Sequence, residues 1–219
     1  MVAFTESAGR VSAFGQHEAR RLHHRYLGPE HLLLGILLEG DNPAARVLVA
    51  HGLDLEIVRA EVDRLIAQGL LPGPQPSDSE LLATLGVDLE AVHGRVKATF
   101  GDEAYCQAAQ HVRHRSTQAV THQAVGDTPL IMSRQVLRFA ANEAIARDQE
   151  IGPEHLLLGL LRDAQDPVDA DLYPQERRQR AQLGLPNHGA HPIKRLFEAH
   201  GVTLDVLRMA LLRQLDPER

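Results

Sequence analysis

Apolar residues along this chain recur at helical rather than strand spacing. Ala8, Val11, Phe14, Ala19 and Leu22 follow a roughly helical spacing, and Thr5 is a fitting N-cap, so a helix is predicted to about Arg21–His24. Gly28-Pro29 opens a second helix, because a proline there gives up an N–H that has no helical acceptor. Its stripe is Leu32, Leu33, Ile36 and Leu37. Leu34 and Leu38 widen it until the helix is apolar almost all round, which predicts a central position. Asn42-Pro43 starts a third helix that Gly52 ends. Asp54 caps a fourth, carrying Leu55, Val58, Val62 and Leu65 to a stop at Gly69.

The same order then returns. A helix is predicted from about Met132 to Arg147, with Val136, Leu137, Ala140, Ala144 and Ile145 on one face, and Pro153 opens the next. Pro192 begins another that Gly201 ends, and Thr203 caps the last, which carries Leu204, Leu207 and Leu211. The echo is literal in places. Gly-Pro-Glu-His-Leu-Leu-Leu-Gly stands at Gly28–Gly35 and again at Gly152–Gly159, 124 positions on. His51-Gly52-Leu53-Asp54-Leu55-Glu56 returns as His200-Gly201-Val202-Thr203-Leu204-Asp205, and a third, partial copy reads Leu85-Gly86-Val87-Asp88-Leu89-Glu90.

Between the copies, Pro72–Pro76 is a break, Asp78, Asp88 and Asp102 begin short helices, and Arg113–Asp127 reads as a linker. The second copy carries a polar, turn-rich excursion after its second helix. No segment alternates as a strand does. The expectation is an all-α protein of two pseudo-symmetric four-helix repeats, residues 1–70 and 128–219. A helical insertion and linker occupies 71–127 and a loop insertion 164–189. The apolar second helices are too hydrophobic for a lone four-helix unit, so the repeats should pack as one body, with both insertions outside it.

Composition narrows the function. The net charge of −6 argues against a general nucleic-acid partner. No apolar run is long enough for a membrane span or a secretory leader, and one cysteine forms no internal disulfide, so a cytoplasmic protein is expected. The only two lysines, Lys97 and Lys194, follow Val96 and Ile193, so no phosphate-binding Gly-Lys-Ser/Thr loop exists. No nucleophile motif is present, and Cys106 is expected on an apolar helix face. The closest histidine sets, His23-His24, His111 with His114 and His188 with His191, lack the spacing of a zinc site. No metal, cofactor or catalytic role is expected.

The doubled octapeptide, Phe4-Thr5-Glu6 before the first helix, Tyr26-Leu27 before the motif and Ala44-Ala45-Arg46-Val47-Leu48 after it resemble the Clp N-terminal domain, the double Clp repeat at the front of AAA+ unfoldases. The arrangement is similar to free-standing members without ATPase modules. The resemblance implies a non-catalytic domain that binds proteins or peptides: a Clp ATPase, its substrates or its adaptors. This chain would act as adaptor, competitor or decoy. A hydrolase, or an interaction module unconnected with Clp, stays as the alternative. The resemblance further implies phosphoarginine as a ligand, with Glu30 and Glu154 matching guanidinium-pairing glutamates and Thr5 a phosphate-side threonine. An acid in a helix's first turn is also favoured by the helix dipole with no ligand at all. In repeat 2, Leu130 and Met132 stand in place of the hydroxyl and basic residues, so the ligand site is expected at repeat 1, around Glu30 with Thr5 and Glu6. His31 and His155 are expected to be hydrogen-bonded packing residues.

Overall fold

The computed structural model describes residues 3–76, 78–108, 130–131, 134–165, 177–178, 180–181 and 191–215. The expected helix start at Met132, the linker 113–127, His111, His114, His188 and most of the excursion lie outside the described residues. The elements are α1 Glu6–Arg21, β1 Tyr26–Leu27, α2 Pro29–Glu39, α3 Pro43–Ala50, α4 Leu55–Ala67, α5 Asp78–Thr84, α6 Leu89–Phe100, β2 Leu130–Ile131, α7 Arg134–Ile145, α8 Pro153–Gln165, α9 Pro192–Ala199 and α10 Leu204–Leu215. Residues 102–108 are helical as well, and among the described residues the fold is all-α apart from these two-residue strands.

The helix starts obey local chemistry. The Thr5 hydroxyl accepts the Ala8 N–H (3.1 Å), Asn42 the Ala45 N–H (2.7 Å), and Asp54 the Ile57 N–H (2.9 Å). Gly52 and Gly201 end α3 and α9 with positive φ, a backbone region that costs glycine nothing. Asp78 departs from expectation, since α5 begins on it rather than after it.

Helices α1–α4 and α7–α10 share one hydrophobic core. Both apolar second helices lie at its centre, with the leucines and isoleucine of Leu32–Ile36 and the leucines of Leu156–Leu161 no more than 1% exposed. Contacts cross between the repeats: α2 touches α8, α3 touches α8 and α10, and α4 touches α9. Residues 1–73 and 129–219 therefore form one compact unit. The described parts of the two insertions start later than expected, because Leu71 and Ala164 are both buried in this core.

The octapeptide's last glycine explains itself here. A Cβ on Gly35 would collide with the Val11 carbonyl oxygen and lie 2.9 Å from the Gly15 nitrogen, and a Cβ on Gly159 would meet Val136 and Ala140 in the same way. Both helix pairs, α1 with α2 and α7 with α8, thus touch backbone to backbone. The internal symmetry extends to an ion pair: Glu18 on α1 holds Arg59 on α4 (2.6 Å), and Glu143 on α7 holds Arg208 on α10 (2.8 Å). Each carboxylate is pushed up by burial but held below its ordinary range by its arginines.

One feature has no alternating pattern to announce it. Strand β1 pairs in parallel with β2, Tyr26 opposite Leu130 and Leu27 opposite Ile131, and Phe4 bridges in parallel to Ile151. The segment leading into each repeat thus lies against the segment that precedes the other repeat's second helix. Two-residue pairings are too short for hydrophobic alternation, so the absence of a strand pattern was no guide to them.

Residues 74–128 form a second compact unit containing α5 and α6. Here Asp88 caps α6 through the Ala91 N–H (3.0 Å), His93 packs edge-on to Tyr105, and Lys97 lies over the Tyr105 ring. Cys106 is exposed, not packed on an apolar face as expected, so it has no role in a core.

Candidate functional site

The two octapeptides build two similar helix starts. In each, the backbone N–H of the leading glycine donates to the following histidine: Gly28 to His31 Nδ1 at 2.9 Å, Gly152 to His155 Nδ1 at 3.1 Å. Both histidines are buried, and both are packing residues that satisfy a helix-start donor, as expected. The glycine also clears space for the acid. A Cβ on Gly28 would stand 2.5 Å from either Glu30 carboxylate oxygen, and Gly152 leaves the same room for Glu154. Each carboxylate therefore folds back over its own helix start.

The two acids then diverge. Glu30 is 2% exposed, and its Oε1 lies 3.4 Å from His31 Nδ1 with no hydrogen-bond partner. Tyr26 is buried nearby, and burial followed by the Glu30 charge raises its hydroxyl pKa well above the ordinary value. His24 stacks on Tyr26 with ring centres 5.0 Å apart. Repeat 2 has Glu150 at the position of Tyr26, and Glu150 is exposed. Glu154 keeps a side chain 16% open to solvent. Burial pushes the Glu154 carboxyl up, but His155 and the backbone N–H at its own helix start outweigh it and hold the group ionised below its usual range. Because His155 Nδ1 receives the Gly152 N–H, its proton belongs on Nε2, and we assign more of this stabilisation to the helix start than to the ring.

His24, Glu30 and His31 are, among the described residues, the set with ligand atoms close enough for a metal ion, within 4.8 Å of one another. Their hydrogen bonds argue against one. The Gly28 N–H can only donate, so His31 Nδ1 accepts and His31 carries its proton on Nε2. That proton faces His24 Nδ1 at 2.9 Å, which must accept in turn. Both lone pairs are committed, and a cation would have to break the helix cap. Both rings are kept neutral: burial pulls His31 down, and burial followed by His31 pulls His24 down to about 4, with Glu30 and the Pro72 carbonyl opposing. The histidine pairing was missed in the sequence because the two residues lie on either side of a turn rather than on one helix.

The remaining expected site residues separate. The Thr5 N–H donates to the Ile151 carbonyl (3.0 Å), and its hydroxyl lies 3.4 Å from the same oxygen. Thr5 is thereby beside the segment that leads into α8 and Glu154. β2 lies beside the segment that leads into α2 and Glu30. Glu6 is exposed and spent on its own helix, pairing with Arg10 at 2.9 Å. The expected grouping of Thr5 and Glu6 around Glu30 thus gives way to Thr5 on the Glu154 side. The cause is the crossed pairing of the lead-in segments, which a repeat-by-repeat alignment cannot reveal.

Residues 3–80 match the family model of the Clp repeat (R) N-terminal domain. The chloroplastic chaperone protein ClpC of Pisum sativum is 48% identical over 67 residues, 31% of this chain and 7% of that protein. The negative regulator of genetic competence ClpC/MecB of Bacillus subtilis is 48% identical over 66 residues, 30% of this chain and 8% of that one. A ClpA homolog of Guillardia theta is 34% identical over 125 residues, 53% of this chain and 15% of that protein. The chain thus matches only a small share of these relatives' length. The solved N-terminal domain of the chaperone ClpD from Arabidopsis thaliana superposes with a TM-score of 0.50 at 18% identity, over 97% of this chain and 94% of that one, which establishes the fold. Together these similarities support a protein-binding, Clp-related domain.

Proposed function

We propose that this chain is a non-catalytic, cytoplasmic receiver of proteins or peptides that works beside a Clp unfoldase–protease, as adaptor, competitor or decoy. Its partners would be a Clp ATPase, that machine's substrates, or its adaptors. The observation that carries the reading is the state of Glu154: ionised, partly open, at the start of an apolar central helix, with the hydroxyl of Thr5 held against the adjoining segment. A carboxylate so placed suits a guanidinium, and a hydroxyl beside the α1 helix start suits an attached phosphate. Glu30 has the same sequence context but is closed off beside Tyr26.

Phosphoarginine is therefore proposed at the Glu154 end rather than around Glu30. Calorimetric titration with phosphoarginine tests it. Glu154→Ala should abolish binding and Thr5→Ala weaken it, while Glu30→Ala should leave the affinity unchanged in the folded fraction. Loss confined to Glu30→Ala would overturn the assignment. The wider reading is tested separately, by whether the whole chain slows or promotes degradation of a model substrate by a Clp protease. No effect at saturating concentration would count against it.

A further inference from the structure

His24 and His31 share a hydrogen bond that has no room for a further proton. The Gly28 N–H only donates, so His31 Nδ1 must accept it (2.9 Å) and the His31 proton must stand on Nε2. That proton occupies His24 Nδ1 (2.9 Å). Neither ring can change tautomer without breaking the start of α2. A proton arriving on His24 Nδ1 would set two N–H groups against each other. Around the pair, three buried polar atoms have no hydrogen-bond partner: His24 Nε2, the Tyr26 hydroxyl and Glu30 Oε1. Each would find water if the turn moved, so the closed arrangement is costly to keep. His31 lies on the central helix α2, whereas His24 lies on the turn 23–26, between the exposed residues His23 and Arg25. The turn is therefore the part that yields, and Tyr26, stacked on His24, moves with it. Repeat 2 has Gln149 in the place of His24. The N–H of each reaches back to an alanine carbonyl of the preceding helix, Ala144 for Gln149 and Ala19 for His24. Gln149 does not titrate, and Glu154 is already partly open.

We propose that the histidine pair is an acid-operated latch: a proton on His24 releases the turn 23–26, draws Tyr26 away and uncovers Glu30. Repeat 1 then presents in acid the open carboxylate that repeat 2 presents at neutral pH, whatever ligand that carboxylate serves. The surrounding groups set where this happens. Burial, His31 and Arg21 on α1 keep His24 neutral, against Glu30 on α2 and the Pro72 carbonyl. Burial and Arg21 keep His31 neutral, against Glu30 and Glu18. Tyr26 keeps its hydroxyl proton through burial and the Glu30 charge, with Arg180 opposing. The closed His24 has a pKa of about 4 and the released ring the ordinary 6.5, so the opening equilibrium gains roughly twentyfold between pH 7 and pH 5.

Hydrogen–deuterium exchange with mass spectrometry on the whole chain tests this. After correction for intrinsic rates, segment 22–28 should lose roughly twentyfold protection from pH 7 to pH 5 and exchange ahead of the α8 core. Segment 147–152, which carries Gln149, should change far less. His24→Gln keeps an oxygen for the His31 Nε2–H and should abolish the response. Histidine NMR on the wild type does not depend on that substitution being tolerated, and His24 should titrate below the exposed His23. Exchange of 22–28 only together with the α8 core, the same response in His24→Gln, or a His24 that titrates at the ordinary value while 22–28 stays protected would overturn the proposal.

Discussion

Replacing Gly35 by alanine adds one methyl group at the tightest contact of repeat 1. Were helix propensity all that mattered, alanine would stabilise α2 by about 1 kcal/mol. The new Cβ, however, overlaps the Val11 carbonyl oxygen and lies 2.9 Å from the Gly15 nitrogen and 3.3 Å from its Cα. These are backbone atoms, so no side-chain rotation relieves them. α1 must draw back from α2 by roughly 1 Å, and a gap of that size forfeits a quarter to a half of each neighbouring dispersion contact. Overpacking of this kind costs about 1–3 kcal/mol, and the net expectation is a loss within that range. Gly9→Ala is the control. It lies on the exposed side of α1 with nothing within 4 Å of its Cβ position, so it should gain about 0.5–1 kcal/mol. Urea unfolding followed by circular dichroism reads both, and the midpoints should move in opposite directions. Gly159→Ala should repeat the loss in the same single transition, because both repeats share one core. A Gly35→Ala protein as stable as wild type would refute the backbone-contact argument. Two transitions, one moved only by Gly35→Ala and the other only by Gly159→Ala, would refute the shared core.

Acid should destabilise the protein before its carboxylates titrate. His24 has a folded pKa of about 4 against an ordinary 6.5, and His31 is shifted the same way. The unfolded chain binds more protons in that window, so stability is complete above about pH 6.5 and falls as pH drops toward 4, by about 3 kcal/mol for His24 alone. The depressed carboxyls of Glu18, Glu143 and Glu154 add a further loss at lower pH. Urea midpoints at pH 7 and pH 5 check this, and a flat profile contradicts it. Glu143→Ala should cost about 1–3 kcal/mol by leaving Arg147 and Arg208 without their shared acceptor, with Glu18→Ala close to it in size. Phosphate-release assays should find no ATP hydrolysis; turnover abolished by Lys97→Ala or Lys194→Ala would contradict the proposal of a non-catalytic chain.

Caps, prolines and terminal glycines made the helices legible, because each rests on chemistry within four residues. The repeated octapeptide announced the duplication, and the structure supplies its reasons: a carboxylate in the space a Cβ would fill, a histidine on the glycine N–H, a glycine at a helix crossing. The candidate site was less legible. What separates Glu30 from Glu154 lies outside the motif, in Tyr26 against Glu150, and in two-residue pairings that exchange the lead-in segments between repeats. Contacts that long in sequence leave no periodicity to read.

The central claim is that the ligand-facing carboxylate belongs to repeat 2 and the hydroxyl beside it to repeat 1. Calorimetric titration of phosphoarginine into wild type, Glu154→Ala and Glu30→Ala tests it most directly. The account predicts binding by wild type and Glu30→Ala and none by Glu154→Ala. Binding that survives Glu154→Ala and vanishes in a folded Glu30→Ala protein would contradict it.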